Sequence, residues 1–506
     1  MNARTASAQR APIEPHRAPC ESGADPSRAT FPVRASPVSA HDSAVRAPCE
    51  PGANQVRTRC ERAQDQHNVD RECSLPSARL RGTVAGRDLT VSATPTTTRL
   101  RGRMLAPARG GPTLRWIDDG VITIDSEGTI TSIEAATADL DLPETHPGAV
   151  LLPGLVDTHV HYPQTRVRGS ASGPLLEWLQ ATVFPEEAKF VDRGYAAAVA
   201  EEFCSAMIRQ GTTSASIFGS PHAEATDILF ATLARRGLRA HLGLTLMDRG
   251  APPQNLLERS ASMAACEALI ERWHLHDRGR LRFCVTPRFA LSCTPALLRD
   301  AALLAERHDL GIQTHLAEND EELRATAASF PDAADYLDVY RAHGLLGERS
   351  LFAHCIHLSN SAWDRLAASR AAIAHCPDSN FFLGSGVMSL QAATSRGIRV
   401  GLGTDVGAGR TFSLRRVAAR AYDAALLDGS PTNAQALLWY ATRGGAVALG
   451  LGEQVGLLEV GFDADLIALE RPPADDSRDP FDALLFDLDA APVRATYVRG
   501  RRLSPL

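Results

Sequence analysis

Short apolar runs alternate with amphipathic segments through the middle of the chain. The runs have the length and composition of buried strands, and the segments between them, such as GYAAAVAEEFCSAMIRQG, repeat apolar residues at helical spacing. Eight strand–helix repeats predict a (β/α)8 barrel of the TIM type, an α/β fold. The predicted strands are Leu152–His159, Thr212–Phe218, Ala240–Leu246, Arg282–Thr286, Gly311–His315, Ser350–His354, Ala372–His375 and Arg399–Gly403.

Two regions that flank the repeats have a different pattern, in which apolar and polar residues alternate around turn residues. The stretch RWIDDGVITIDSEGTITSIEAA predicts a β-meander, and GFDADLIALE and VRATYVRGRRL near the C-terminus have the same character. Residues 98–150 and 451–506 are therefore predicted to form the two halves of one small β-sandwich domain. The barrel is assigned to residues 151–450 between them.

Residues 1–97 are rich in Arg, Ala, Pro and Ser and have neither a helical nor a strand period. Such a composition cannot bury enough apolar surface to offset chain entropy, so this segment is predicted to be a disordered extension.

The composition of the 506-residue chain excludes several functional classes. A net charge of −6 without a basic stripe argues against a nucleic-acid partner. No apolar stretch approaches the roughly 20 residues that span a bilayer, and the N-terminus has no apolar leader region. The ten cysteines are scattered without a C-x-x-C pair, which indicates reduced thiols. Together these features predict a cytoplasmic protein with no membrane partner.

Polar residues stand at the ends of several predicted barrel strands. The carboxyl ends of the strands carry the active site in this fold, and residues i and i+2 of a strand face the same way. We therefore expect these side chains to converge at the barrel mouth. They are His159 and His161 on the first strand, then Arg288, His315, His354, His375 and Asp405 on later strands.

Several buried imidazoles and a carboxylate on one axis are hard to satisfy among themselves, whereas a divalent metal ion satisfies them together. Nitrogen ligands with one carboxylate and an open position favour Zn²⁺, with Fe²⁺ as the second choice. Many barrel hydrolases with two metals bridge them through a carboxylated lysine at the end of the fourth strand. The only lysine of this chain, Lys189, lies elsewhere, so one ion is predicted.

Two acidic residues are candidates for proton transfer around water that such an ion activates. Asp405 can both bind the metal and accept a proton from the water. Glu318 follows His315 by three residues, which places it in the loop above the metal, within reach of a substrate nitrogen.

The sequence resembles the amidohydrolase superfamily, in its single-metal deaminase branch. The resemblance rests on PGLVDTHVH, QTHLAEN, FAHCIHLS, AHCPDSNFFLGSG and GLGTDVGAG and extends from about residue 99 to the C-terminus. It implies that metal binds His159, His161, His315 and Asp405, with His354 on or beside it.

Within that branch the stretches HVHYPQ and VTPRFALSC are similar to the enzymes that deaminate guanine. The resemblance implies that Gln164 and Arg288 hydrogen-bond the purine edge and that Phe289 lies beside the ring. It further implies that His161, His315, Glu318 and Asp405 contact the substrate, that Glu318, Asp405 and His354 are catalytic, and that the protein is a homodimer. Xanthine and ammonia are the expected products of a purine-salvage or catabolic reaction.

Three alternatives stay open. Another aminohydrolase acting on an N-heterocycle, such as a triazine, would share the metal ligands but not the combination of Gln164 with Arg288 and Phe289. A non-catalytic barrel scaffold would bind no metal. Arg288 could also serve only as half of a structural ion pair.

Overall fold

The computed structural model describes residues 97–137, 141–171, 173–471 and 478–505. The predicted disordered extension lies outside these ranges except for its last residue. Among the described helices, none has the length and apolar character needed to cross a membrane.

The strands follow the order of the predicted elements. They are β1 (Thr98–Pro107), β2 (Leu114–Ile124), β3 (Ile130–Ala135), β4 (Ala149–Pro153), β5 (Leu155–His161), β6 (Thr212–Phe218), β7 (Arg239–Gly243), β8 (Thr245–Leu246), β9 (Leu281–Pro287), β10 (Gly311–Leu316), β11 (Ser350–His354), β12 (Ala372–His375), β13 (Arg399–Leu402), β14 (Leu466–Glu470), β15 (Val493–Val498) and β16 (Arg501–Leu503).

The helices fill the intervals between the barrel strands, with shorter ones in the loops. They are α1 (Leu175–Trp178), α2 (Phe184–Glu187), α3 (Arg193–Arg209), α4 (Ala223–Arg236), α5 (Arg259–Trp273), α6 (His276–Gly279), α7 (Pro295–Arg307), α8 (Asp320–Ser329), α9 (Tyr336–Ala342), α10 (Asn360–Ala368), α11 (Pro377–Phe382), α12 (Leu390–Thr394), α13 (Leu414–Leu427), α14 (Ala434–Trp439), α15 (Gly445–Ala448) and α16 (Pro480–Phe486).

The predicted (β/α)8 barrel is confirmed. Its strands pair in parallel in the order β5-β6-β7-β9-β10-β11-β12-β13, and the short β8 pairs with β9. The first strand meets the segment after the last through two backbone hydrogen bonds. Asp405 N donates to His159 O at 2.8 Å, and His161 N donates to Val406 O at 3.0 Å. These bonds join the two ends of the barrel at the level of the predicted metal ligands.

The predicted first barrel strand, Leu152–His159, is wrong in its bounds. The apolar run contains two strands, β4 and β5, with Gly154 between them. A side chain at Gly154 would come within 2.1 Å of Thr213 Oγ1, so the chain passes between the two sheets where only glycine fits. The barrel strand consequently runs on to His161 and carries both histidines.

A seven-stranded sheet contains strands from both flanking regions, in the order β16-β15-β14-β4-β1-β2-β3. β4 lies in its middle, parallel to β1 and antiparallel to β14. The pair of β2 and β3 turns at Ser126-Glu127-Gly128, as the meander pattern predicted. The division of the chain at residues 97, 150 and 450 stays a prediction.

Candidate active site at the barrel mouth

Four of the predicted metal ligands meet at the carboxyl ends of the barrel strands. The potential ligand atoms of His159, His161, His315 and Asp405 all lie within 4.8 Å of one another. Asp405 Oδ1 is 3.2 Å from His159 Nε2 and 3.3 Å from His161 Nε2, which in turn is 3.1 Å from His315 Nε2. Three imidazoles and one carboxylate at this spacing could hold one metal ion.

The loop after β13 places Asp405 opposite the two histidines of β5. Asp157, two residues before His159, is buried and accepts hydrogen bonds from Thr404 N at 2.9 Å and Thr404 Oγ1 at 2.5 Å. Asp405 itself has a left-handed backbone, with φ of 48°. A non-glycine residue held in that region indicates a backbone constrained by its surroundings, as is common at functional sites.

His315 is oriented by a contact on its far side. Its Nδ1 lies 2.6 Å from the carbonyl oxygen of Arg288, an acceptor only, so Nδ1 carries the proton. The other ring nitrogen then presents its lone pair to the centre of the group, which is the tautomer that binds a metal ion.

The electrostatics of the group favour a bound cation. Burial lowers the pKa of His161 to about 3 and lowers the pKa of His159 and His315 as well. Burial alone would raise the pKa of Asp405, but its contacts with His159 and His161 hold that pKa well below the usual value. Neutral imidazoles around an ionised carboxylate offer lone pairs and one negative charge, as a divalent ion requires. His159 Nε2 is also buried without a hydrogen-bond partner within the described ranges.

His354, the fifth predicted ligand, lies beside this group of four. Its Nε2 is 3.8 Å from Asp405 Oδ2 and 3.3 Å from Glu318 Oε2. The side-chain oxygen of Asn380 lies 2.9 Å from His354 Nδ1, so Nδ1 donates to it and Nε2 faces the two carboxyl groups. Sequence reasoning gave Asn380 no role, although it lies in α11 within the motif AHCPDSNFFLGSG.

Glu318 is only 3% exposed and is surrounded by other polar groups. Ser385 Oγ donates to Glu318 Oε1 at 3.3 Å, and the backbone nitrogen of Glu318 donates to the carboxylate of Glu322 at 2.9 Å. Burial, followed by the negative charges of Asp405 and Glu322, raises the pKa of Glu318 well above the usual value. Burial therefore favours the protonated form of this carboxyl, which is the form that can donate a proton. Glu322, in the first turn of α8, is buried as well.

A cavity opens above the four-residue group. Its walls combine apolar and aromatic side chains with polar groups that converge on the same space, as in a site for a small organic molecule. The walls comprise His161, Gln164, Leu175, Trp178, Leu179, Arg288, Phe289, His315, Glu318, Leu383, Asp405 and Ala408. All the predicted substrate-binding residues are therefore cavity-lining.

The two polar residues proposed for the purine edge share a partner that the sequence did not reveal. Glu187 Oε1 accepts a hydrogen bond from Gln164 Nε2 at 3.2 Å, and both Glu187 oxygens accept from Arg288 Nη1, at 3.0 and 2.8 Å. Arg288 is thus half of an ion pair and also part of the cavity wall, so the two readings of this residue are compatible. A carboxylate in a helical segment gives no sequence indication of such a contact.

The barrel and its mouth define a metal-dependent hydrolase of the (β/α)8 type. The family assignment is more specific, because the model of the amidohydrolase family matches residues 150–503. The chain belongs to the amidohydrolase family, as the motifs of the sequence indicated.

Three relatives illustrate what the chain is similar to. It is 37% identical to the guanine deaminase of Escherichia coli (strain K12) over 404 residues, which cover 77% of this chain and 92% of that protein. It is 42% identical to a probable guanine deaminase of Deinococcus radiodurans over 375 residues, covering 71% of this chain and 84% of that one. A crystal structure of guanine deaminase from C. acetobutylicum with bound guanine in the active site matches with a TM-score of 0.74 and 27% identity, over 81% of this chain and all of that one (100%).

Proposed function

We propose that this chain catalyses the hydrolytic deamination of guanine to xanthine and ammonia. The observation that carries the proposal is the cavity in which hydrogen-bond donors, the buried carboxyl of Glu318 and a set of metal ligands face one another. The guanine deaminases among the relatives support the same activity.

The metal ion proposed for the site is Zn²⁺, with Fe²⁺ as the second choice, because the ligands are three imidazoles and one carboxylate. His159, His161, His315 and Asp405 would hold it, and His354 would lie beside it. Such an ion lowers the pKa of a water molecule and makes it a nucleophile at neutral pH.

The protein's own acids and bases handle the protons of the reaction. Glu318 gives its proton to the ring nitrogen next to C2 of guanine, which makes that carbon electrophilic. Asp405 takes the proton of the attacking water and passes it to the amino group. The C2–N bond breaks and ammonia leaves. The oxygen of water stays on C2 as the carbonyl oxygen of xanthine, and its remaining proton returns Glu318 to the acid form. His354 lies between Glu318 and Asp405 and stabilises the proton transfers from that position.

Substrate recognition depends on two donors in the cavity wall. The guanidinium of Arg288 can only donate hydrogen bonds, so it suits the C6 carbonyl oxygen of guanine. Gln164 offers a second donor, and Phe289 supplies an aromatic wall for the ring. Adenine carries an amino group where guanine has the carbonyl. That amino group is a hydrogen-bond donor and would meet the donors of the cavity wall, so adenine is disfavoured.

Purified protein tests this proposal when its metal content and its release of ammonia are measured together. Guanine, adenine, cytosine and a chlorotriazine are compared as substrates. We expect one equivalent of metal per chain and turnover of guanine well above the other compounds. Preferred turnover of another ring would make the chain a different N-heterocycle aminohydrolase, and a folded protein without metal or turnover would be a scaffold.

Two broader properties accompany the proposal. The chain is expected to act in the cytoplasm as a homodimer. Size-exclusion chromatography with light scattering tests the dimer directly, because a monomeric mass would contradict it.

A further inference from the structure

Glu187 is a buried carboxylate that has no part in the proton transfers proposed above. It ends α2, within a helical stretch that runs from α1 through a π-helical turn at Leu179–Val183, and its exposed fraction is only 1%. The same stretch contributes three walls of the cavity, Leu175, Trp178 and Leu179. An ionised side chain is rarely buried without a partner, so its contacts indicate what it does.

The contacts of Glu187 fix the guanidinium of Arg288. Nη1 of Arg288 donates to both carboxylate oxygens, and the guanidinium lies over the ring of Phe184, 5.3 Å from its centroid. Within the described part of the chain, Nη2 and Nε of Arg288 donate no hydrogen bond, although the residue lines the cavity. The donors that remain are therefore available to a ligand.

The same carboxylate fixes the amide of Gln164. Its Nε2 donates to Glu187, while its Oε1 accepts from the backbone nitrogen of Gly407 at 3.2 Å. Rotation of the amide by 180° would place its oxygen against the Glu187 carboxylate and its NH2 group against an N–H, so the present orientation is enforced. The amide can thus offer the cavity its second Nε2 hydrogen.

Glu187 also neutralises the charge of Arg288 next to a site that would contain a metal cation. The pair presents donors without a net positive charge, so an uncharged ring with an acceptor edge is favoured over an anion. If Glu187 were neutral, Arg288 would have an unpaired buried charge and Gln164 could present either end of its amide.

We infer that Glu187 is a positioning residue that selects a carbonyl oxygen on the substrate ring, by holding Arg288 and Gln164 as a matched pair of donors. The inference rests on the proposed function and deepens it. Neither the sequence motifs nor the family assignment gives Glu187 a role.

The test compares two non-reacting ligands, hypoxanthine, which keeps the ring carbonyl, and unsubstituted purine, which lacks it. Their inhibition constants against guanine turnover are measured for the wild type and for Glu187→Gln, together with kcat, KM and metal content. We expect Glu187→Gln to keep its metal, to raise KM more than it lowers kcat, and to reduce the purine-to-hypoxanthine ratio of inhibition constants by roughly tenfold or more.

Glu186→Gln is the matched control. Glu186 is the adjacent residue in α2 and is also buried, but its partners are Lys189 and Tyr195, outside the cavity. Because these partners lie outside the cavity, the ratio of inhibition constants for Glu186→Gln should stay within about twofold of the wild type. The tenfold change expected for Glu187→Gln corresponds to about 1.4 kcal/mol. Glu187→Asp retains the charge on a shorter side chain and should give an intermediate ratio of inhibition constants. This variant replaces Glu187→Gln in the test if Glu187→Gln is too unstable to purify.

Three outcomes would contradict the inference. An unchanged ratio of inhibition constants in a folded, metal-containing Glu187→Gln overturns the inference and leaves the proposed function standing. If Glu187→Asp must be used instead, an unchanged ratio in that variant has the same meaning. An equal change in Glu186→Gln assigns the effect to the helix as a whole and overturns it too. A wild-type protein that releases no ammonia from guanine removes the proposed function, and the inference with it.

Discussion

Replacement of Glu318 by glutamine isolates the proton that this residue is proposed to supply. Glutamine has the same shape, and its oxygen can still accept the hydrogen bond that Ser385 Oγ donates at 3.3 Å. The side chain is only 3% exposed, so its neighbours should hold the amide in the position of the carboxyl. The substitution should therefore remove a transferable proton and little else.

The size of the effect follows from the role. Proton transfer by a positioned side chain contributes about 100- to 10,000-fold to a rate, or about 2.7–5.5 kcal/mol of barrier. Because Glu318 does not belong to the group of four potential ligands, the variant should keep its metal content. We expect kcat for guanine to fall within that range while KM changes little.

Ammonia release and metal analysis on the same preparation provide the assay. Glu321→Gln is the control, since Glu321 is an exposed residue in the first turn of α8 and faces away from the cavity. A kcat for Glu318→Gln within about threefold of the wild type would refute the proton-transfer role, which requires at least about 100-fold. Loss of the metal would instead show that Glu318 supports the metal site.

Other changes have equally definite consequences. Asp405→Asn should abolish both metal content and turnover, with far-UV circular dichroism unchanged; retained metal would contradict its role as a ligand. Arg239→Met should lower the free energy of unfolding in urea by about 3–5 kcal/mol, because it leaves Asp465 buried without its partner at 2.9 Å; a loss below about 1 kcal/mol would refute this. Burial lowers the pKa of His375 to about 3. Below about pH 6.5 the unfolded chain therefore binds a proton that the folded chain does not. As the pH is lowered further, the free energy of unfolding falls by up to about 1.4 kcal/mol per pH unit. His375→Asn in the metal-free protein should show a shallower loss of stability between about pH 6 and 4, and an equal slope would contradict it.

The barrel and most of its polar strand ends were predictable because both depend on local pattern. Alternation of apolar runs and helical segments defines the fold, and the strand period places His159 and His161 on one side. The bounds of the first strand were not predictable from hydrophobicity, since β4 and β5 are buried on both sides of Gly154. The Pro-Gly pair at 153–154 was the one indication of a break.

The residues that sequence reasoning missed lie in helices and loops rather than at strand ends. Glu187 and Asn380 contact side chains on other elements, which folding brings near. Glu322 accepts a hydrogen bond from the backbone nitrogen of Glu318. An acidic residue in a helix is ordinarily solvated, and only its tertiary partners distinguish Glu187 from Glu186.

The central place of β4 in its sheet has a consequence for how the molecule is made. β4 forms a five-residue ladder with β14, yet residues 154–465, which contain the whole barrel, separate the two strands in sequence. During synthesis that edge of β4 has no permanent neighbour until the last tenth or so of the polypeptide has left the ribosome. Chains that stop before β14 would therefore keep an open edge able to recruit other molecules, so premature termination should yield aggregates rather than a smaller working enzyme.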